Sequence, residues 1–288
     1  MRKIVSTYLF IRERLHPGIL DRLQEAGADG IELFCDRRSF DYTDRTQVEL
    51  LANWFRQNPM QLHSLHSPLY RDESGGRSGE PPLNIADPQA KVRLEAMEEI
   101  HRALAIADRI PCRYLVQHLG VGNEEYDPRK TDAAFTSIER LRILSGQAGV
   151  SLLLENIPNG LAMPQELLHF LETTHLHDVG ICFDSGHAQM GSVWFGGGGA
   201  VETWDQLSRR VRSTHLHDNH GGKDEHLWPG EGVINWTALM PRIATRPDVA
   251  WVLEPGGKAG DDRAAALLRI RETFQRLEQW SGVTVSEP

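Results

Sequence analysis

The chain of 288 residues has little cysteine, no long apolar run and no excess of basic charge. Its three cysteines, Cys35, Cys112 and Cys182, are scattered and odd in number, so they match neither a disulfide framework nor a cysteine zinc site. We expect them to be small buried residues. With 31 basic and 40 acidic residues, the net charge of −9 argues against a broad footprint on a phosphate backbone.

The sequence also lacks a stretch that could serve as a leader or a membrane span. Met1–Thr7 runs directly into strand-like residues, and no run approaches about 18 apolar residues. We therefore expect a cytoplasmic protein with no membrane partner. Hydrophobic residues make up 40 % of the chain and charged residues 25 %, which predicts one domain over residues 1–288 with its own core.

Short apolar runs alternate with longer amphipathic stretches along the whole chain. Several runs are nearly continuous in apolar residues, as in Leu152-Leu153-Leu154, which is typical of parallel strands buried on both faces. Eight such units without a nucleotide fingerprint predict an α/β fold, a single closed (β/α)8 TIM barrel. The predicted strands are Ile4–Thr7, Gly30–Phe34, Gln61–His66, Arg113–His118, Ser151–Asn156, Gly180–Asp184, Ser213–Asp218 and Ala250–Glu254.

Helices are expected between these strands. Leu267, Ile270, Phe274 and Leu277 form one apolar stripe in the last of them, and Pro164 fits the first turn of the helix after the fifth strand. Long connections in a compact domain are usually functional or disordered. The longest predicted connections are Ser67–Pro88, Gly186–Gly199 and Asn219–Asn235.

Most of the predicted strands end in a residue that can bind a metal ion or move a proton. Barrel enzymes place their chemistry at this carboxyl end of the strands. Imidazole together with carboxylate suits zinc, manganese, iron or cobalt, whereas an all-oxygen set would suggest magnesium or calcium. The residues are Glu32, His66, His118, Glu155, Asp184, His215 and Glu254.

Side-chain alternation predicts which of these residues converge. If Asp184 points into the barrel, so does Cys182, and if His215 points in, so does His217 while Asp218 points away. His217 could be a ligand or a partner that orients one. His63 is expected on the face opposite His66, with a structural role. A structural role is also expected of His16, His101, His169, His175, His177 and His220.

Simpler interpretations remain open at several positions. Glu155 and Glu254 could each pair with an arginine or lysine instead of a metal ion. His66 and His118 could be core histidines with ordinary hydrogen bonds. Asp224 and His226 could belong to a plain acidic loop, and Gly196–Gly199 could be a lid, a backbone anion nest or a flexible loop.

The order of motifs along nearly the whole chain resembles the xylose isomerase-like barrel superfamily, which includes sugar isomerases and epimerases and also endonuclease IV. The motifs are Leu65-His66-Ser67-Pro68, Gln117-His118-Leu119-Gly120, Leu154-Glu155-Asn156, Gly180 to His187, His215-Leu216-His217-Asp218-Asn219, Asp224-Glu225-His226, Gly230-Glu231-Gly232 and Leu253-Glu254-Pro255.

The resemblance implies a metal site, and its two branches differ in the number of ions. The epimerase branch, similar to D-tagatose 3-epimerase, implies one ion held by Glu155, Asp184, His215 and Glu254. The endonuclease IV branch implies a cluster of up to three ions. Its further ligands would be His66, His118, His187, Asp224 and His226.

Two departures from the endonuclease pattern favour the small-molecule branch. Gly186 stands where the endonuclease has cysteine, and Asn219-His220 stands where it has Ser-Lys after a His-x-Asn-Asp motif. The first hypothesis is therefore an isomerase or epimerase of a carbohydrate-like substrate, with Glu155 and Glu254 as acid and base around an enediolate.

The expected cofactor is a divalent ion, manganese or zinc before cobalt or iron, with His217, Trp194 and Glu32 contacting the substrate. The second hypothesis is metal-assisted hydrolysis of a phosphodiester, including abasic DNA, although nucleic acid is the less favoured partner. The third is a barrel that binds a sugar or partner without catalysis, which the filled ligand set disfavours. A homo-oligomer is compatible with all three hypotheses.

Overall fold

Eight parallel strands form the centre of the protein, whose computed structural model describes residues 1–71, 74–257 and 263–282. They lie in one sheet in the order β7-β6-β5-β4-β3-β2-β1-β8. Their bounds are β1 (Lys3–Ser6), β2 (Gly30–Phe34), β3 (Gln61–His66), β4 (Tyr114–His118), β5 (Ser151–Glu155), β6 (Gly180–Asp184), β7 (Val211–His215) and β8 (Trp251–Leu253).

The sheet closes through Leu216, the residue that follows β7. Leu216 forms a parallel bridge to Leu253, donates from its backbone N–H to Val252 O at 2.8 Å and accepts from Glu254 N at 3.3 Å. The Thr214 hydroxyl adds a bond to Ala250 O at 2.9 Å. The prediction of a single (β/α)8 TIM barrel is confirmed.

Helices cover the outside of the sheet, and Pro164 begins one of them as predicted. Among the described residues, no helix has both the length and the apolar composition to cross a membrane. The α-helices of the described chain are α1 (Pro17–Glu25), α2 (Arg45–Gln57), α3 (Ala90–Leu104), α4 (Pro128–Gln147), α5 (Pro164–Thr173), α6 (Ser185–Gly191), α7 (Gly199–Leu207), α8 (Trp236–Ala244) and α9 (Arg263–Ser281).

The inside of the barrel has an apolar layer beneath a polar one. Val116, Leu153 and Cys182 pack together, and each precedes by two residues a polar side chain at the end of its strand. Ile4, Ala250 and Val252 form a second small cluster, whereas the large core lies between sheet and helices. Side-chain alternation in parallel strands therefore places the polar residues together at the carboxyl end.

Several sequence predictions fail at the ends of these elements. β7 ends at His215 rather than Asp218, since Leu216 and Asp218 form only isolated bridges. The first strand ends before Thr7, which begins a short 3-10 turn capped by the Ser6 hydroxyl. The predicted connection Gly186–Gly199 contains most of α6, which begins at Ser185. Of the connection Ser67–Pro88, residues 72 and 73 lie outside the described chain.

The prediction that His63 faces away from His66 is wrong. The register of β2 and β3 shifts by one residue between Ile31↔Leu62 and Glu32↔Ser64, so the simple alternation fails there. The His63 ring lies inside the barrel, with Nε2 3.3 Å from Ser213 Oγ. Burial lowers the pKa of His63 to about 3, so this imidazole is neutral and its role is structural.

Asp218 organises the connection that follows β7. It is fully buried, and Oδ1 accepts from the backbone of Asn219 at 2.9 Å and of Ile234 at 3.2 Å. Its Oδ2 accepts from Gly230 N at 3.0 Å and from Trp236 Nε1 at 2.7 Å. These donors are spread from Asn219 to Trp236. The single carboxylate of Asp218 therefore fixes the loop that places residues 224–226 at the barrel mouth.

We expect Asp218→Asn to lower the free energy of unfolding by about 2–4 kcal/mol, because an amide has one acceptor oxygen and leaves buried donors unpaired. Urea unfolding at pH 7 measures the difference. The control is Asp178→Asn, which breaks only the exposed pair to Arg142 and should cost less than about 1 kcal/mol. Equal losses in the two variants would contradict this role for Asp218.

Candidate metal centre

Four side chains from the ends of β5, β6, β7 and β8 meet at one point above the barrel axis. His215 Nδ1 lies 3.3 Å from Glu155 Oε2, 3.7 Å from Asp184 Oδ2 and 3.5 Å from Glu254 Oε2. All four residues are at most 2 % exposed. The structure therefore brings together the four ligands that the sequence analysis selected for one ion.

The atoms at this point fit a divalent ion. Glu155 Oε2 and His215 Nδ1 are buried and make no hydrogen bond within the described chain, although they lie close together. Three carboxylates in one buried site repel one another unless a cation lies between them. Imidazole and carboxylate donors around a shared point are the ligands that zinc and manganese accept, so the residues present fit the ion.

The same carboxylate contacts a second pair of histidines. His66 Nε2 lies 3.4 Å and His118 Nε2 3.3 Å from Glu155 Oε2. His66 Nδ1 lies 2.9 Å from Ser67 O, so it donates there and Nε2 is the nitrogen that faces the carboxylate. His66, Glu155 and His215 thus form a group that could hold an ion of its own.

A third group lies at the barrel mouth. Asp224 Oδ2 is 3.3 Å from His187 Nε2 and 3.1 Å from His226 Nε2. His187 Nδ1 lies 2.9 Å from Glu155 Oε1, which joins this group to the central one. The five further positions implied by the endonuclease branch therefore also lie in or beside the centre.

Local structure explains how His187 reaches the site. Asp184 is the N-cap of α6, and its Oδ1 accepts from the His187 backbone N–H at 2.6 Å. The imidazole thus projects from the first turn of α6. Gly186 is required beside it, because a Cβ there would lie 2.1 Å from the His217 ring.

Glu32 does not contact a substrate cavity, which corrects the sequence prediction. It is fully buried beneath His215, whose Nε2 lies 3.0 Å from its carboxylate. The Ser64 hydroxyl donates to the same carboxylate at 2.8 Å. Glu32 therefore fixes the orientation of the His215 ring, so that Nδ1 faces the central point.

His217 is likewise placed behind the ligands and not against a substrate. It has no exposed surface, its Nε2 lies 3.0 Å from Asp184 Oδ2, and its ring stacks on that of His226 at 3.9 Å. Both interpretations left open by the sequence fit this geometry: His217 can orient Asp184, and with Asp184 and Glu254 it also forms a group that could hold a metal ion.

The sequence analysis missed three residues of the centre. Asn156 Nδ2 donates to Asp184 O at 2.9 Å, and its Oδ1 accepts from Asp184 N at 2.9 Å, which ties β5 to β6. The Ser6 hydroxyl donates to Glu254 Oε1 at 3.2 Å. The Tyr8 ring packs on His226 at 4.5 Å. Their position after β1 and β5, at the carboxyl ends of strands, was the available signal.

The surrounding imidazoles stabilise the ionised form of Glu155. Burial alone would raise the pKa of Glu155, but His118 and His215 outweigh it and hold that pKa well below its usual range. No arginine or lysine of the described chain lies within ion-pair distance of Glu155 or Glu254. Among the described residues, the simpler interpretation of a neutralising basic side chain therefore finds no partner for either glutamate.

A cavity of about 260 Å³ opens beside the centre. His118, His187 and Asp224 form its polar side, and Trp194 lies at its rim, 38 % exposed. No lysine or arginine is found among the described residues that line it. Its apolar lining comprises Pro68, Leu69, Pro82, Leu83, Val121, Ile157, Pro158 and Met190.

Comparison with known families now identifies the barrel. Residues 20–278 match the family described as xylose isomerase-like TIM barrel. The chain belongs to this family. Two relatives of this xylose isomerase-like barrel are the uncharacterized proteins MJ1614 and MJ1311 of Methanocaldococcus jannaschii. MJ1614 is 23 % identical over 96 % of this chain and 100 % of its own length, and MJ1311 is 25 % identical over 83 % and 78 %.

Solved structures of similar fold include two of particular interest. A D-tagatose 3-epimerase-like protein superposes with a TM-score of 0.76 at 21 % identity, over 98 % of each chain. The IOLI protein with a bound zinc atom gives a TM-score of 0.67 at 16 % identity, over 98 % of this chain and 96 % of that one. At these identities the likeness shows the fold alone.

We expect Glu32→Gln to weaken zinc binding by the xylose isomerase-like barrel about 10- to 100-fold, because the His215 ring loses the carboxylate that orients it. Competition titration against a chelator measures the affinity. The control is Glu99→Gln, an equally buried glutamate that instead accepts from Tyr42 Oη at 2.6 Å. Zinc affinities that are unchanged in both variants would refute the positioning role.

We also expect metal binding to release a proton from His226. Burial alone would lower the pKa of His226, but the Asp224 carboxylate outweighs it and raises that pKa to about 9. The metal-free protein therefore holds this proton at pH 7, and a ligating imidazole must lose it, so affinity rises with pH up to about 9.

Calorimetric titration with saturating zinc, in buffers of different ionisation enthalpy, counts the released protons. His226→Gln should release about one proton fewer than the wild type. The same count in both proteins would show that His226 stays out of the metal centre.

Proposed function

We propose that this barrel is a divalent-metal-dependent isomerase or epimerase of a small, sugar-like molecule. The observation that carries the proposal is the approach of two glutamates, Glu155 and Glu254, to the same His215 nitrogen from different strands. Two carboxylates on different sides of one site can remove a proton from a carbon and return it at another position or face. One base alone would return the proton to the face from which it was taken.

The residues of the metal centre have different roles in the proposed reaction. A divalent ion held by Glu155, Asp184, His215 and Glu254 would polarise neighbouring carbonyl and hydroxyl oxygens of the substrate. Glu155 and Glu254 alternate as base and acid at the carbon beside that carbonyl. Ser6 donates to Glu254 Oε1, so one oxygen of this glutamate is fixed while Oε2 faces the centre.

The cavity supports an uncharged substrate with an apolar part. Its described lining offers apolar side chains and Trp194 but no lysine or arginine that could bind a phosphate group. Aromatic and apolar surface suits the CH faces of a sugar or an attached apolar group. Solved proteins named as epimerases, among them the D-tagatose 3-epimerase-like protein and a 3-keto-D-glucoside 4-epimerase from E. coli, are consistent with this substrate class.

We expect manganese-loaded protein to exchange carbon-bound hydrogen of a ketose for deuterium in heavy water. Glu254→Gln, checked for retained metal, should slow exchange by about 10²- to 10⁴-fold, because one of the two proton-transfer groups is lost. Proton NMR over a panel of ketoses measures the rate.

The matched control is Glu139→Gln, an exposed glutamate of α4 that should leave the exchange rate unchanged. No metal-dependent exchange across the panel, or equal rates in Glu254→Gln and the control, would refute the proposed reaction.

A second candidate function is metal-assisted hydrolysis of a phosphodiester. The observation in its favour is that His66, His118, His187, Asp224 and His226 surround the central site, as a cluster of ions would require. Against it, the endonuclease cysteine could not replace Gly186 while His217 occupies its present position. Zinc-loaded protein should leave an abasic duplex intact, and nicking that disappears in His187→Ala would establish the hydrolase instead.

A further inference from the structure

A second cavity lies at the other end of the barrel from the metal centre. Its volume is about 820 Å³, within the range of small-molecule sites. It is lined by the residues that begin β4, β5 and β6, such as Tyr114, Ser151 and Gly180, whereas the metal ligands end these strands. Leu153, a side chain of the apolar layer inside the barrel, forms part of its floor.

Four arginines line this cavity without a carboxylate partner. Within residues 1–71, 74–257 and 263–282, Arg113, Arg209, Arg210 and Arg212 make no ion pair, and their side-chain hydrogen bonds go only to backbone carbonyls. Some arginines elsewhere in the same range, such as Arg45 and Arg140, also make no ion pair, but many others pair with acids. Examples are Arg38–Asp36, Arg71–Glu95, Arg102–Glu99, Arg142–Asp178, Arg242–Asp205, Arg246–Asp248 and Arg269–Glu231.

This contrast is informative because acidic residues outnumber basic ones by 40 to 31 in the whole chain. An acidic protein has more carboxylates than basic side chains, so most arginines could find a partner. The only acidic residues in the described lining of this cavity are Glu172 and Asp178. Asp178 is already bonded to Arg142 at 2.9 Å, outside the cavity lining. The arginines therefore leave a net positive charge in a concave space, which concentrates the field on a bound anion.

One more carboxylate, Asp248, lies near this charge: its bond to Arg246 at 2.7 Å and, to a smaller extent, the charge of Arg212 lower the pKa of Asp248. Asp248 is therefore already paired outside the cavity lining. Arg2 lies close enough for repulsion: burial first, and then Arg113, lower the pKa of Arg2. The neutral His63 ring packs against the Tyr114 ring with centroids 5.3 Å apart. Arg113 Cζ lies over the same Tyr114 ring, 5.4 Å from its centroid. Positive charge thus continues from the cavity towards the amino end of β1.

We propose that this cavity binds a small, multiply charged anion of the phosphorylated-metabolite class. Guanidinium groups present paired N–H donors that match phosphate oxygens, and four of them in one concavity favour a ligand with more than one negative charge. The Tyr114 and Leu153 floor provides contact surface for an uncharged part of the ligand. The site is distinct from the metal centre and uses none of its residues.

The test uses inorganic pyrophosphate as the probe and the full-length, metal-loaded protein. Calorimetric titration at low ionic strength should show saturable binding to the wild type. Arg113→Gln/Arg209→Gln, two arginines without a described side-chain hydrogen bond, should weaken that binding about tenfold or more. Arg45→Gln/Arg140→Gln, two exposed arginines outside the cavity, should bind as the wild type does and matches the change in net charge.

Three results would overturn the proposal: no saturable binding of pyrophosphate, equal weakening in both double variants, or binding that the cavity variant leaves unchanged. The last would place the anion at the metal centre instead. If Arg113→Gln/Arg209→Gln does not fold, the single charge reversal Arg209→Glu at an exposed position gives the same comparison. It should also abolish saturable binding at pyrophosphate concentrations that fill the wild type.

Discussion

The contact of one buried carboxylate with four imidazoles is the interaction on which the rest of the site depends. Glu155 Oε2 lies within 3.4 Å of a nitrogen of His66, His118 and His215, and Oε1 lies 2.9 Å from His187 Nδ1. Asp184 and Glu254 approach the same region, so negative charge accumulates where little water can screen it. Such an arrangement is stable only with cations present, either protons on the imidazoles or metal ions in their place.

The barrel supplies this geometry because each ligand has a rigid support. Glu155, Asp184 and His215 end neighbouring parallel strands whose registers are fixed by the sheet. Two hydrogen bonds between the Asn156 side chain and the Asp184 backbone join the ends of β5 and β6. Behind the ligands, Glu32 holds the ring of His215 and His217 holds Asp184. Asp224 and His226 lie in a loop whose conformation is held by the four hydrogen bonds that the Asp218 carboxylate accepts. A site built in this way is preorganised before substrate binds.

The fold and the convergence of Glu155, Asp184, His215 and Glu254 could be predicted from the sequence because both follow from local patterns. Each central ligand directly follows an apolar strand, and strand ends meet in a closed parallel barrel. Contacts between distant residues could not be predicted in this way. Glu32 ends a strand like the others, yet its contact with His215 becomes visible only in three dimensions. The extra residue in β3 that turns His63 inward leaves no mark on the apolar pattern.

The two ends of the barrel differ sharply in charge. The carboxyl end carries carboxylates and imidazoles, which attract cations. The amino end carries arginines that have no carboxylate partner and attract anions. The apolar layer of Val116, Leu153 and Cys182 separates them inside the barrel. The proposed metal site and the proposed anion site therefore lie at opposite ends of the barrel and share no residue.

The most direct test of the central claim is the metal content of protein purified without chelators, measured by mass spectrometry beside an Asp184→Asn/His215→Ala variant. We expect at least one divalent transition-metal ion per folded wild-type chain and a large loss of metal in the variant. A folded wild-type protein that carries no such ion, and takes up none on dialysis against zinc or manganese, would contradict it.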